Sequence, residues 1–216
     1  MRRIVALLTV GFLAAAGCGN NDDGGAIVEP TAATGGTDAT TTIAAPTGDP
    51  IAAAEAFIAT FMPGSTATLS EFRQGDPQSG EVEVFRPAEG GGTGPSASTL
   101  LLRFENGAFQ VVGAVSPSVT IEEPGGGVEA GPQLQVRGVG RGFEATLVAR
   151  AFEADGTMVA EAVGTGGALA DPEPYEITLD LSAVAAGTPL VVIVAGGTGL
   201  EGDPGEFSAV RVVRSA

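Results

Sequence analysis

Hydrophobic and polar positions divide the chain into stretches of different character. Ile4 to Ala16 is an apolar run behind the basic pair Arg2-Arg3, the pattern of a secretory leader. As a helix it would span roughly 20 Å, short of the ~30 Å hydrocarbon core of a bilayer. From Gly19 to Gly48 the chain turns polar and repetitive, with Gly24-Gly25, Gly35-Gly36, Pro30, Pro46 and Thr40-Thr41-Thr42. Such a stretch buries too little apolar surface to offset the entropy of ordering, so it predicts a disordered tether with a reach of about 30 Å. Asp49-Pro50 then reads as a helix start, a carboxylate cap before a proline in the first turn. Ile51, Ala54, Phe57, Ile58 and Phe61 follow at helical spacing, and Pro63-Gly64 ends the run.

Alternation with a period of two takes over after the helix. Strands are expected over 81–86, 99–104 and 108–112, with Glu105-Asn106-Gly107 as a hairpin turn because Asn-Gly accepts positive φ. The glycine-rich 90–95 stretch reads as a mobile loop. Beyond Val115 only strands are expected, over 118–122, 133–138, 143–153, 157–163, 175–181, 189–195 and 207–213. Tyr175, Ile177, Leu179 and Leu181 alternate with Glu176, Thr178 and Asp180, the signature of a half-buried antiparallel strand. Leu190 to Val194 is continuously apolar and should lie centrally, and Asp155-Gly156 marks a further hairpin. Seven short strands in about a hundred residues predict an immunoglobulin-like β-sandwich. The fold class expected is therefore mainly β: a small α+β domain over 49–114, one helix on a short antiparallel sheet, then the sandwich over 115–216.

Composition changes this picture in two ways. The 216 residues hold 34 glycines and 14 prolines, with no tryptophan or lysine, which suits a turn-rich β protein. Cys18 is the single cysteine, so an intrachain disulfide is impossible and the fold rests on packing. The net charge is −16, and loss of Arg2 and Arg3 with a leader would deepen it to −18. That field repels phosphate backbones, and nucleic-acid binding is excluded as an expectation.

Two resemblances add to these readings. Ala15-Ala16-Gly17-Cys18 resembles the lipobox of bacterial lipoproteins, with Ala15 where leucine is usual. It implies cleavage after Gly17 and acylation of the Cys18 sulfur, by palmitate or a similar chain. Residues 1–17 would then be a lipoprotein signal peptide and 18–48 the lipidated cysteine with its tether, leaving the protein on the extracytoplasmic face of the cell membrane. Ser116-Pro117, Val119-Thr120-Ile121, Pro124, Gly138, Gly142-Phe143-Glu144 and Asp155-Gly156 are similar to the immunoglobulin-like domain of bacterial spore germination proteins, over about Val115 to Arg214. That family commonly carries Phe-Glu-Gly where this chain has Phe143-Glu144-Ala145, and Asp-Gly near Gly202-Asp203. The segments Gly80–Val84 and Phe109–Ala114 resemble what precedes such a domain in some actinobacterial lipoproteins. The resemblance implies an envelope-exposed protein of a kind without a known catalytic activity. It makes Phe143, Glu144, Asp155 and Gly156 structural candidates: Phe143 in the core, and Glu144 bonded to a neighbouring backbone or to Arg141.

Reactive chemistry is sparse. Without histidine there is no serine-histidine pair and no histidine-bound metal; without lysine there is no Schiff base and no P-loop. Carboxylates remain, of which Glu122, Glu123 and Glu144 are too dispersed to single out a catalytic pair. Glu201, Asp203 and Glu206 could offer oxygens to calcium, although their spacing fits no recognised calcium loop. No catalytic, cofactor or metal site is therefore expected. The function expected is a non-catalytic envelope lipoprotein whose sandwich docks another exported or envelope protein or holds a structural position near the wall. A carbohydrate- or peptidoglycan-binding module is the alternative, weakened by the lack of aromatic platforms, and a carboxylate-dependent glycoside hydrolase is a remote one.

Overall fold

In a computed structural model, residues 48–88, 90–168 and 171–215 are described. Gly17, Cys18 and the tether up to residue 47 lie outside them. Helix α1 spans Pro50–Phe61, and Asp49 caps it through Oδ1, which accepts from the backbone N–H of Ile51 at 2.9 Å and of Ala52 at 3.4 Å. Ala54, Phe57 and Ile58 form its buried face, the i, i+3, i+4 stripe expected of an amphipathic helix. Twelve strands follow: β1 Thr68–Leu69, β2 Arg73–Asp76, β3 Ser79–Pro87, β4 Thr93–Glu105, β5 Ala108–Val115, β6 Glu129–Ala130, β7 Gln133–Gly140, β8 Thr146–Glu153, β9 Met158–Thr165, β10 Glu173–Asp180, β11 Pro189–Gly196 and β12 Glu206–Arg214. The protein is mainly β, with one α-helix among the described residues.

Ten strands form one sheet in the order β1-β3-β4-β5-β12-β11-β8-β9, with β2 on β3 and β6 on β12. The remaining two, β7 and β10, pair with each other. Neighbours run antiparallel except β6 beside β12. The β4–β5 hairpin closes through Asn106 at φ 53° and Gly107 at φ 84°, the left-handed pair that a two-residue turn between twisted strands requires. Residues 118–123 do not form a full strand: they touch β7 through two isolated bridges, Val119 to Gly140 and Glu123 to Arg137. The approach there is close enough that a Cβ on Gly138 would fall 2.0 Å from the Thr120 carbonyl oxygen. Strand β4 begins at Thr93, inside the stretch expected to be a loop, because its residues pair with β3 as far as Thr93 opposite Pro87.

β11 explains the layering. Leu190, Val192 and Val194 face a cluster with Leu147, Ala149, Ile177, Leu179 and Val136, between the large sheet and the β7–β10 pair. Val191 and Ile193 face the other way, into a cluster with Phe152, Phe207, Ala54, Phe57 and Ile58. A strand buried on both faces must be apolar throughout, as its sequence is. The second cluster draws on both halves of the chain, and Phe61 of α1 meets Phe152 of β8 edge to face at 5.6 Å. β5 also pairs with β12 at Ala114–Ala209 and Gly113–Val210. One continuous sheet thus crosses the boundary between 114 and 115, and the described residues belong to one compact unit. No helix among them is long and apolar enough to cross a membrane.

Candidate functional site

The pairing registers fix which loops share an end of the large sheet. Gly196 of β11 stands opposite both Leu147 and Glu206, so the loops 142–146 and 197–205 lie side by side. Gly48, the first described residue, sits at the other end: a Cβ there would meet the Ala108 Cα at 3.3 Å, beside the β4–β5 turn. Since β5 runs antiparallel to β12, the chain enters the fold at the end opposite this loop pair.

Loop 197–205 is fastened from three directions. Asp203, with its side chain 2 % exposed, receives a two-pronged contact from Arg86 of β3: Nη2 to Oδ2 at 2.7 Å and Nε to Oδ1 at 3.0 Å. Its Oδ1 also accepts from the Gly205 N–H at 2.9 Å. Glu206 is held by Arg141, Nη2 to Oε1 at 3.0 Å and Nε to Oε2 at 3.1 Å. Thr66, just past α1, donates its N–H to the Gly202 carbonyl at 2.8 Å. Burial pushes both carboxyls up, but the hydrogen bonds and charge of Arg86 and Arg141 outweigh it, and both end below the usual carboxylate range. Asp203 and Glu206, two of the three candidate calcium ligands, are thus engaged with arginines. Among the described residues no group of three or more carboxylate, thiol or imidazole side chains could hold a metal ion.

The neighbouring loop corrects an expectation. Phe143 is 45 % exposed rather than in the core. Had the strand begun at 143, parity with Leu147 and Ala149 would have pointed Phe143 inward. Residues 143–145 instead form a left-handed turn, with Glu144 at φ 54° and Ala145 at φ 59°, and the strand starts only at Thr146. The Phe143 N–H donates to the Gly197 carbonyl at 2.7 Å, and its ring lies over Gly199, where a Cβ would be 3.6 Å from Cδ1. Leu200, next to Gly199, is 66 % exposed. Glu144 contributes a backbone contact, its carbonyl accepting from Thr146 Oγ1 at 3.5 Å. The expected partner Arg141 is taken by Glu206, and the Glu144 side chain makes no hydrogen bond or ion pair among the described residues.

Asp155 and Gly156 lie at the far end of β8 from Phe143, so these four residues do not form one site. Asp155 Oδ1 accepts from the Thr157 N–H at 2.9 Å, and that bond holds its carboxyl below the ordinary range. Gly156 has φ 88°, and a Cβ on it would come 2.8 Å from Thr60 Cγ2, so the hairpin turn packs under the end of α1. A cleft of about 640 Å³ opens between Phe61, Met62, Phe152, Met158, Ile193 and loop 201–204. Tyr175 does not serve as a platform: it is 5 % exposed, and its hydroxyl donates to the Thr120 carbonyl at 2.7 Å. Burial pushes its phenol up.

The two arginine–carboxylate pairs were not foreseen from sequence. Their partners stand 117 and 65 residues apart, and no local pattern joins them. Comparison with known proteins finds no matching protein-family model, no matching curated protein and no matching solved structure.

Proposed function

We propose that this chain is a non-catalytic lipoprotein of the cell envelope, anchored through Cys18 after cleavage at Gly17, which presents a docking surface to another exported protein at the end of its sheet away from the tether. The observation that carries this reading is the placement of Phe143 and Leu200. They are exposed apolar side chains on two adjoining loops, one fixed by Arg86 and Arg141, at the end opposite Gly48. An apolar pair held on a rigid support loses little conformational freedom on binding, which favours its use as an anchor for a partner.

The immunoglobulin-like reading of 115–216 belongs to the same proposal. Its support is the division of strands, with β7, β10 and the bridged segment 118–123 facing β8, β9, β11 and β12 across one apolar cluster. The resemblance to the spore germination domain gains support at Ala145, which adopts the left-handed conformation at the position where that family carries glycine. Residues 49–114 then form a helix-and-sheet addition that extends the same sheet.

Peptidoglycan or carbohydrate binding is the second reading, favoured by the exposed ring of Phe143, which could stack on a sugar. Arg86 and Arg141 hold both Asp203 and Glu206 ionised, so that pair does not supply the protonated carboxyl beside an ionised one that a glycoside hydrolase uses. Fractionation of cells expressing Cys18→Ser tests the anchor: release of the chain from the membrane is expected, and retention there would contradict it. Pulldown on purified wall separates the two readings, since tight retention lost in Phe143→Ser would favour the sugar.

A further inference from the structure

A second cleft, of about 420 Å³, opens near the end of the sheet where the chain enters, walled by Phe61, Pro189, Val191 and Val213 with Gln110 and Arg211 beside them. Its apolar lining is broken by a guanidinium in an unusual state for this chain. Arg73, Arg86, Arg103, Arg137, Arg141 and Arg150 each have a carboxylate within 4.0 Å. Arg211 and Arg214 have none among the described residues; Arg214 is buried and donates to the Leu181 and Ser215 carbonyls, whereas Arg211 Nη1 donates only to the neutral Gln110 Oε1 at 3.1 Å.

Burial pulls the Arg211 guanidinium below its ordinary value, countered by the more distant Glu105, and as an arginine it stays charged. No buried side-chain nitrogen or oxygen in the described residues lacks a hydrogen-bond partner. The unused N–H groups of Arg211 are therefore open to the cleft or to solvent. Val191 stands opposite Arg211 in the sheet, and Val213 opposite Pro189. Arg211 and Val213 share one face of β12, while Val212 between them points into the other cluster.

We propose that this cleft binds a monocarboxylate carrying a hydrocarbon tail, with the carboxylate on Arg211 and the tail against Phe61, Pro189, Val191 and Val213. A planar guanidinium with free donors matches a carboxylate in a two-pronged contact, and the apolar walls take a tail but offer nothing to a polar ligand. The net charge of −16 disfavours multiply charged anions, so a single carboxylate whose affinity comes from its tail is the class that fits. The site is distinct from the Phe143–Leu200 surface and stands whether or not Cys18 is lipidated.

Calorimetric titration of the purified full chain with octanoate, below its micellar threshold, tests the assignment. One saturable site is expected, with octanol and octyl phosphate each binding at least about tenfold more weakly. Arg211→Gln should weaken octanoate by about tenfold or more. Val213→Glu changes a partly exposed residue and supplies Arg211 with a carboxylate of its own, so it should abolish binding with the melting temperature retained. Absence of saturable octanoate binding, octanol binding as tightly, or wild-type affinity in Val213→Glu would overturn the assignment. Tighter binding of octyl phosphate would overturn it in favour of a phosphate-headed lipid.

Discussion

Ala145 holds a left-handed conformation in which its Cβ crowds the following carbonyl, a cost of about 1 kcal/mol that glycine avoids. Ala145→Gly should therefore raise the melting temperature by about 2–4 °C in a chain of this size, as read by calorimetry. Arg86 acts through charge. Removing it leaves Asp203 ionised and almost wholly buried, so Arg86→Gln should cost about 3 kcal/mol at neutral pH. The sign of the pH dependence follows from the depressed carboxyls. Asp203 and Glu206 contribute stability above the unfolded carboxylate range, about pH 4, and that contribution is lost as pH falls through their lower folded values. In Arg86→Gln the upward push of burial, the largest influence on the Asp203 carboxyl, is opposed only by the bonds from Gly205 and Thr198, so acid relieves the variant's penalty at higher pH than it titrates the wild-type pair. Melting curves from pH 7 to pH 3 should show the gap between wild type and variant narrowing with acid; a gap unchanged down to pH 3 would contradict a change in Asp203 protonation between the two proteins. Phe143 shows what residue identity cannot supply: its type predicts burial, but two left-handed residues after it decide where it points.

Among elements, those whose own side chains alternate were legible and those held by distant partners were not. Tyr175, Ile177 and Leu179 are buried between exposed neighbours, and Leu190–Val194 is central, because each pattern is complete within one strand. β2, with the exposed sequence Arg-Gln-Gly-Asp, has no pattern to read and is a strand through its register with β3. The start of β4 escaped for a related reason: Gly94 and Pro95 read as loop, and pairing with β3 extends the strand through them. The helix cap at Asp49 and the Asn106-Gly107 turn were legible because backbone geometry over two or three residues determines both. That α1 covers the short sheet was legible too, since it packs on β4 and β5; that Phe152, Val191, Ile193 and Phe207 from the other half of the chain join the same cluster was not. That dependence yields a prediction. A fragment of residues 49–114 alone should lack cooperative unfolding by circular dichroism, because Phe152, Val191, Ile193, Phe207 and Ala209, which complete the cluster around Ala54, Phe57 and Ile58, are missing. A sharp thermal transition in that fragment would show it to be an independent domain.

At the scale of the whole molecule the arrangement is one of ends. Gly48, where the described residues begin, lies beside the β4–β5 turn, the sheet runs through both halves of the chain, and loops 142–146 and 197–205 stand at the far end with Phe143 and Leu200 exposed. The mainly β character was legible in the sequence from composition and period. The loop cluster was not, because it exists only where Gly196 brings Leu147 and Glu206 together. The most direct test is photocrosslinking in the intact envelope, with a photoreactive residue placed at Leu200 in one strain and at Asn106 in another, followed by mass spectrometry. Capture of a single exported protein from position 200, with none from position 106, is the expected result; equal capture from both positions, or capture from 106 alone, would contradict a docking surface at the tether-distal end.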